Sequence, residues 1–347
     1  MSFKKWGMVL LLLVSLCPMV FGWEGRNGFS ICTANNNQTT PEITSDGLGG
    51  AIITWFDYRN GFEDCEVYAQ GIDNVGDVRW DDNGILIAGG TGHQFQPRIA
   101  KDNNNGAYII WDDSRNGTGS DLYLQKINIA GVLQYPVGGM SICTSSYDQI
   151  NACIVEDGAG GAVMAWEDYS NGVDSDIYAQ AISWENNLLY TENGVAVCTA
   201  AGNQSSPKII ADGQGGSIIV WTDERNGMNK QGIYAQAVNG SGAVQWTLNG
   251  VTISTALSKE DNQTEPEIVA DGQGGAIICW QSIIGSKTKI MAQAIDSTGQ
   301  VKWAANGVSI CSTDCKQYFP AMISDGLGGA IITWEDSRNS SVDIYAQ

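Results

Sequence analysis

Apolar and polar positions along this chain follow one four-part pattern, repeated six times at intervals of 54 to 59 residues. A Pro-x-Ile segment opens most copies, as in Pro41-Glu-Ile43, Pro97-Arg-Ile99, Pro207-Lys-Ile209 and Pro266-Glu-Ile268. An Asp-Gly-x-Gly-Gly turn usually follows, where glycine supplies the positive φ that a tight hairpin needs. Next comes an unbroken apolar run ending in Trp, such as Ala51-Ile-Ile-Thr-Trp55. A strand apolar at every position is covered on both faces. The third segment alternates, as in Asp176-Ile-Tyr-Ala-Gln-Ala-Ile182, and the fourth runs Asn-Gly-Val-x-Ile or Val from Asn193, Asn249 and Asn306. Nothing in the pattern has a helical period.

The spacing is as regular as the pattern. Nine residues separate the turn Asp from the Trp in every copy: Asp46 to Trp55, Asp102 to Trp111, Asp157 to Trp166, Asp212 to Trp221, Asp271 to Trp280, Asp325 to Trp334. Doubly covered, four-stranded antiparallel units in tandem predict an all-β chain, a β-propeller of about six four-stranded blades. A β-solenoid has shorter coils and lacks such hairpins, and a string of sandwich domains needs about 90 residues per unit. The expected blades are roughly 33–88, 89–143, 144–198, 199–254, 255–311 and 312–347. Residues 23–32 read as a fourth segment lacking its first three, and the last copy stops inside its third. Two readings stay open: the N-terminal strand completes the last blade, or the chain is truncated from a larger ring.

Residues 1–22 have the form of a secretory signal: Lys4-Lys5, an apolar run from Met8 to Phe21, and small residues before a cut. The expected location is therefore secreted or at the cell surface, with no membrane insertion by the mature chain. With 38 acidic and 18 basic side chains, for a formal charge of −20, nucleic acid is a poor partner.

The string Asp-Gly-x-Gly-Gly-Ala-Ile-x-x-Trp-x-Asp-x-Arg-Asn-Gly, then Asp-Ile-Tyr-Ala-Gln, resembles a repeat of exported bacterial and archaeal surface proteins. The resemblance covers residues 23–347. It implies β-propeller modules, often beside adhesive or sorting domains, and a binding or scaffold role without a defined ligand.

Eight cysteines follow the signal segment. Cys32, Cys143, Cys198 and Cys311 share one repeat position and read as small buried side chains. Cys143 with Cys153, and Cys311 with Cys315, are the pairs near enough in sequence to form disulfides. With His93 the only histidine, a zinc site is not expected. No cofactor is expected, calcium at the turns being a minor alternative, because one Asp followed by glycines supplies few oxygen ligands.

In Trp-x-Asp-x-Arg, two-residue spacing puts Asp and Arg on one side of the strand end. Asp57 with Arg59, Asp113 with Arg115, Asp223 with Arg225, and Asp336 with Arg338 read as a repeated structural clamp, with Asp168 alone at that place in the third copy. Asp64, Asp121, Asp176 and Asp343 are the further partners expected for these arginines. Contact with a ligand is expected where copies differ: at Trp184, outside the repeated aromatic positions, and in the fifth copy at Ser282, Ile283, Ile284, Lys287 and Lys289. The functional expectation is a non-catalytic scaffold, not an enzyme, binding extracellular protein or glycan. The alternative is a propeller glycoside hydrolase or lyase acting on extracellular polysaccharide. That alternative needs two carboxylates, unequal among blades, in a central pocket; Glu192, Glu260, Asp261 and Asp314 are non-repeated acids that nothing in the sequence groups.

Overall fold

The structure, a computed structural model, describes residues 28–62, 64–227, 230–256, 261–339 and 341–347. The signal segment and the first half of the N-terminal strand expected at 23–32 lie outside the described residues. Six antiparallel sheets make up the described chain. The first holds β1 (Gln38–Ser45), β2 (Ala51–Asp57), β3 (Glu66–Ile72) and β4 (Ile85–Ala88). The second holds β5 (Gln94–Lys101), β6 (Ala107–Asp113), β7 (Asp121–Ile127) and β8 (Met140–Cys143). The third holds β9 (Gln149–Glu156), β10 (Ala162–Asp168), β11 (Asp176–Ile182) and β12 (Val195–Cys198). The fourth holds β13 (Gln204–Ala211), β14 (Ser217–Asp223), β15 (Gly232–Val238) and β16 (Val251–Ser254). The fifth holds β17 (Asp261–Ala270), β18 (Ala276–Ile284), β19 (Lys287–Ile295) and β20 (Val308–Ser309). The last has three strands, β21 (Gln317–Ser324), β22 (Ala330–Asp336) and β23 (Asp343–Ala346).

Each sheet is a meander in chain order, so the turns after its first and third strands lie at one end and the connections after the second and fourth at the other. We call these the hairpin end and the loop end. The first strands β1, β5, β9, β13, β17 and β21 are successive spatial neighbours and form the hub. Apolar clusters fill the seams between consecutive blades. One gathers Ile52, Val67 and Trp80 of the first blade with Ile109 and Trp111 of the second, and the third and fourth blades share another around Val163, Ala179, Ile219 and Trp221.

The repeated residues have visible jobs within this plan. In each turn the Asp carboxylate accepts two backbone N–H groups; Asp212 Oδ1 takes those of Gln214 and Gly216 at 2.7 and 2.9 Å. These oxygens hold the hairpin. The Gln of Tyr-Ala-Gln ties the third strand to the connection leading into the fourth: Gln180 Oε1 accepts from Tyr190 N and its Nε2 donates to Thr191 O, both at 2.9 Å. The eight described cysteines are free. Neither expected disulfide is present. Cys153 instead donates to Ala165 O on its own sheet, and Cys315 to Asp336 Oδ1 at 3.1 Å.

Candidate active site

Five of the six second strands end Trp-x-Asp, the fifth blade having Trp280-Gln-Ser282 in its place, and alternation aims Trp and Asp at the preceding blade and x at the following one. Trp and Asp build the clamp. In the fourth blade the Trp221 indole N–H donates to Asp223 Oδ2 at 2.8 Å, and Arg225 reaches both carboxylate oxygens through Nε (2.8 Å) and Nη2 (2.6 Å). Arg225 also donates to Asn249 O at 2.8 Å and lies 3.8 Å over the Tyr234 ring. The second and last blades repeat this arrangement at Asp113/Arg115 and Asp336/Arg338. In the first, burial pushes the Asp57 carboxyl up, but bonds from Arg59 and Trp55 outweigh it and hold it low.

Two features depart from the sequence reading. The partner of each arginine is the Asp two residues before it, not the Asp opening the third strand. Asp121, Asp176 and Asp343 instead accept from Asn116, Asn171 and Asn339. In the third blade, which lacks the Arg, Asp168 still takes the Trp166 indole at 3.0 Å, and in the fifth, which lacks the Asp, Gln263 Oε1 takes that of Trp280 at 2.7 Å.

The x position differs in every blade but two: Phe56, Asp112, Glu167, Thr222, Gln281 and Glu335. In the first five blades it faces a bulge in the next blade's first strand, and pairing of first with second strand slips in this way in all six sheets. At each bulge a non-glycine residue sits at positive φ: Thr40 (52°), Gln96 (50°), Asn151 (55°), Ser206 (55°), Glu265 (52°) and Phe319 (50°). Left-handed backbone costs about 1–2 kcal/mol at a non-glycine residue. Five of the six also precede proline, which restricts the backbone further.

Two buried carboxyls meet this row of bulges. Asp112, 1% exposed, accepts the Asn151 N–H at 3.4 Å through Oδ2, and its Oδ1 has no hydrogen-bond partner. Glu167, 4% exposed, accepts Asn151 Nδ2 at 3.1 Å and Ser206 N at 2.8 Å through Oε1, and the Tyr169 hydroxyl at 3.4 Å through Oε2. One asparagine thus joins two acids from neighbouring blades. Burial pushes the Asp112 carboxyl up to about 8, and the Glu167 charge adds to this, against the Asn151 amide and Arg98. Burial raises Glu167 as well, opposed by its bonds to Ser206, Asn151 and Tyr169. A carboxyl that keeps its proton near neutrality beside a second one is an acid–base pair in outline. Neither was singled out in the sequence. The available signal was the varying residue between an invariant Trp and a nearly invariant Asp.

The residues picked from sequence do not come together. Trp184, 60% exposed, lies in the turn between β11 and β12 at the hairpin end, where its carbonyl accepts from the buried Lys126 at 3.4 Å. Ser282, Ile283 and Ile284 pair with Lys289, Thr288 and Lys287 in a hairpin at the loop end of the fifth blade. Ser282 is buried, Lys287 bridges to Asp314 at 2.9 Å, and Lys289 donates to Thr313 O. Glu260 lies outside the described residues. Among the described residues no group of three or more His, Cys, Asp or Glu side chains is arranged to hold a metal.

Polysaccharide lyase Uly1 aligns over 92% of this chain and 90% of its own, at 10% identity and a TM-score of 0.53. The fold is shared with that enzyme. The α-L-arabinanase of Penicillium chrysogenum in complex with arabinobiose matches at 11% identity over 89% and 93%, TM-score 0.47. An endo-arabinase from Bacteroides thetaiotaomicron matches at 14% over 92% and 96%, TM-score 0.40. No family model and no curated protein matches the sequence. These findings correct the expectation of a non-catalytic scaffold that is not an enzyme. The propeller architecture is one that a polysaccharide-cleaving protein also uses, so it gives no ground for inertness. The other ground was the lack of grouped, non-repeated acids, and Asp112 and Glu167 remove it.

Proposed function

We propose that this protein is an exported propeller enzyme that cleaves a polysaccharide, with Asp112 as proton donor and Glu167 as second carboxylate. The observation that carries the reading is the sharing of Asn151, on a hub strand, by two buried acids of unlike type from neighbouring blades, one with an oxygen left free. Glycosidic cleavage uses two carboxyl groups about 5–9.5 Å apart, one protonating the leaving oxygen and the other acting as base or nucleophile. A single bridging residue is in keeping with that range. The raised Asp112 suits the donor, because it stays mostly protonated at neutral pH. The signal-like N-terminus and the resemblance to surface-protein repeats support action outside the cell. We infer too that the open faces of the first and last blades are completed by sheet of the same repeat, closing a ring.

The test is a depolymerisation assay on arabinan, xylan and polygalacturonate with wild type, Asp112→Asn and Glu167→Gln. The expected result is new reducing ends from wild type and a loss of about 10²-fold or more in each variant, the scale of a general acid or base. An unsaturated product would mark elimination instead of hydrolysis. Wild-type turnover that survives both substitutions would sink the assignment.

A further inference from the structure

Six residues in one backbone conformation, all with different side chains, line the loop end of the hub: Thr40, Gln96, Asn151, Ser206, Glu265 and Phe319. Their setting decides where those side chains go. The first strand of an inner blade is covered on both faces by neighbouring blades, so solvent reaches it only from the axis or its mouth. Ser206 and Glu265 are nevertheless exposed, and Gln96 and Asn151 half-buried, while the next residues Pro97, Ala152, Pro207 and Pro266 are buried. The bulge therefore turns one side chain per blade out of the seams and into the mouth.

Packing does not require what stands there. Glycine would adopt this φ without strain, and the backbone N–H that Glu167 receives from Ser206 would remain. Strained non-glycine backbone of this kind clusters at active sites and ligand clamps. Their chemistry is a ring of hydroxyl and amide groups, one carboxylate and one exposed Phe. The ring has no cation. Two residues further along the same strands, Arg98 and Lys208 are already paired with Glu42 at 3.0 Å and Glu267 at 2.7 Å.

We propose that this ring is the substrate-binding rim of the hub and that it takes a neutral, hydroxyl-rich glycan, not a uronate polymer. The proposal rests on the polysaccharide-cleaving reading for the identity of the ligand class, but it concerns binding and not bond cleavage. Gln96 and Ser206 would donate to and accept from sugar hydroxyls, Glu265 would accept from them, and Phe319 would offer a flat apolar face.

Affinity electrophoresis in arabinan, xylan or polygalacturonate, together with melting curves, tests this with Gln96→Gly, Ser206→Gly and Glu265→Gly. The expected result is retardation of wild type by a neutral polymer and not by polygalacturonate. Each variant should lose affinity by about tenfold, the worth of one or two hydrogen bonds, while its Tm holds or rises. Variants that bind as wild type does would overturn the rim, as would preference for polygalacturonate or no binding to any of the three polymers. Binding by wild type without any cleavage would support the rim and sink only the roles given to Asp112 and Glu167.

Discussion

The x residue of Trp-x-Asp separates structure from chemistry within three positions. Its neighbours are bound to the fold: Asp223 accepts from the Trp221 indole and from both the backbone and the guanidinium of Arg225. Replacing Asp223 with Ala leaves a buried indole N–H unpaired and strips a mostly buried guanidinium of its counter-charge, with only the Asn249 carbonyl and the Cys198 sulfur still bonded to it. Chemical denaturation should show a loss of about 3–5 kcal/mol; a loss below ~1 kcal/mol would mean the clamp is ornamental. Asp112 makes the opposite prediction. Its proton is held to about 8 in the folded protein but leaves near 3.8 in the unfolded chain. Between those values the folded state binds more protons, so this group makes stability fall as pH rises. Asp112→Asn removes the proton and the slope. Melting curves from about pH 4 to 9 should show the variant less pH-dependent than wild type and the more stable of the two above pH 8. Parallel curves would show that Asp112 titrates normally.

At the scale of strands and turns, the repeat could be read directly from sequence, because its spacing follows from contacts every blade must make. An example is the sixteen-residue interval from the third-strand Tyr to the glycine before the fourth strand: Tyr68 to Gly84, Tyr123 to Gly139, Tyr178 to Gly194 and Tyr234 to Gly250. In the third blade Gly194 has φ 87°, and a Cβ there would lie 2.5 Å from Trp166 Cη2 and 2.7 Å from Ala179 O. Gly213, in an Asp-Gly turn, has φ 75° and open space around it. Gly194→Ala should therefore cost about 2–4 kcal/mol, backbone strain plus overpacking. Gly213→Ala should cost only the strain, about 1–2 kcal/mol. Equal losses in urea titrations would refute the packing role of Gly194. The bulge was not legible. Pro-x-Ile suggests an ordinary strand, and the register slip that turns out Asn151 or Ser206 depends on contact with the preceding blade. The acid pair was hidden for the same reason. Asp112 and Glu167 are 55 positions apart in sequence and meet only because consecutive sheets stack around an axis.

Across the whole molecule, five seams are filled and two faces are not. Ile331 on the last blade is 45% exposed, whereas its counterparts Ile52, Tyr108, Val163, Ile218 and Ile277 are at most 7% exposed. Ile344 beside it is 74% exposed, where Val67, Leu122, Ile177, Ile233 and Ile290 are all at 0%. The first blade shows the complementary face, with Ile43 63% exposed and a cavity of about 430 Å³ lined by Ile31, Cys32, Ile43, Ile53 and Trp55. Trp303 is left open in the same way. Its counterparts Trp80, Tyr190 and Trp246 each lie under a glycine of the following blade, Gly131, Gly242 and Gly299. The side chains at these faces are those that pack the other seams, and contiguous apolar surface of this kind drives association. As a purified 347-residue chain, the protein should therefore self-associate in a concentration-dependent way and bind an apolar dye. Lysine at Ile331 and Ile344 should reduce both effects and leave Tm nearly unchanged, because neither side chain is packed. Lysine at Ile218, the same position inside a filled seam, should unfold the protein. Sedimentation of wild type as a monomer at every concentration, with no dye bound, would show that the two faces cover each other in solution.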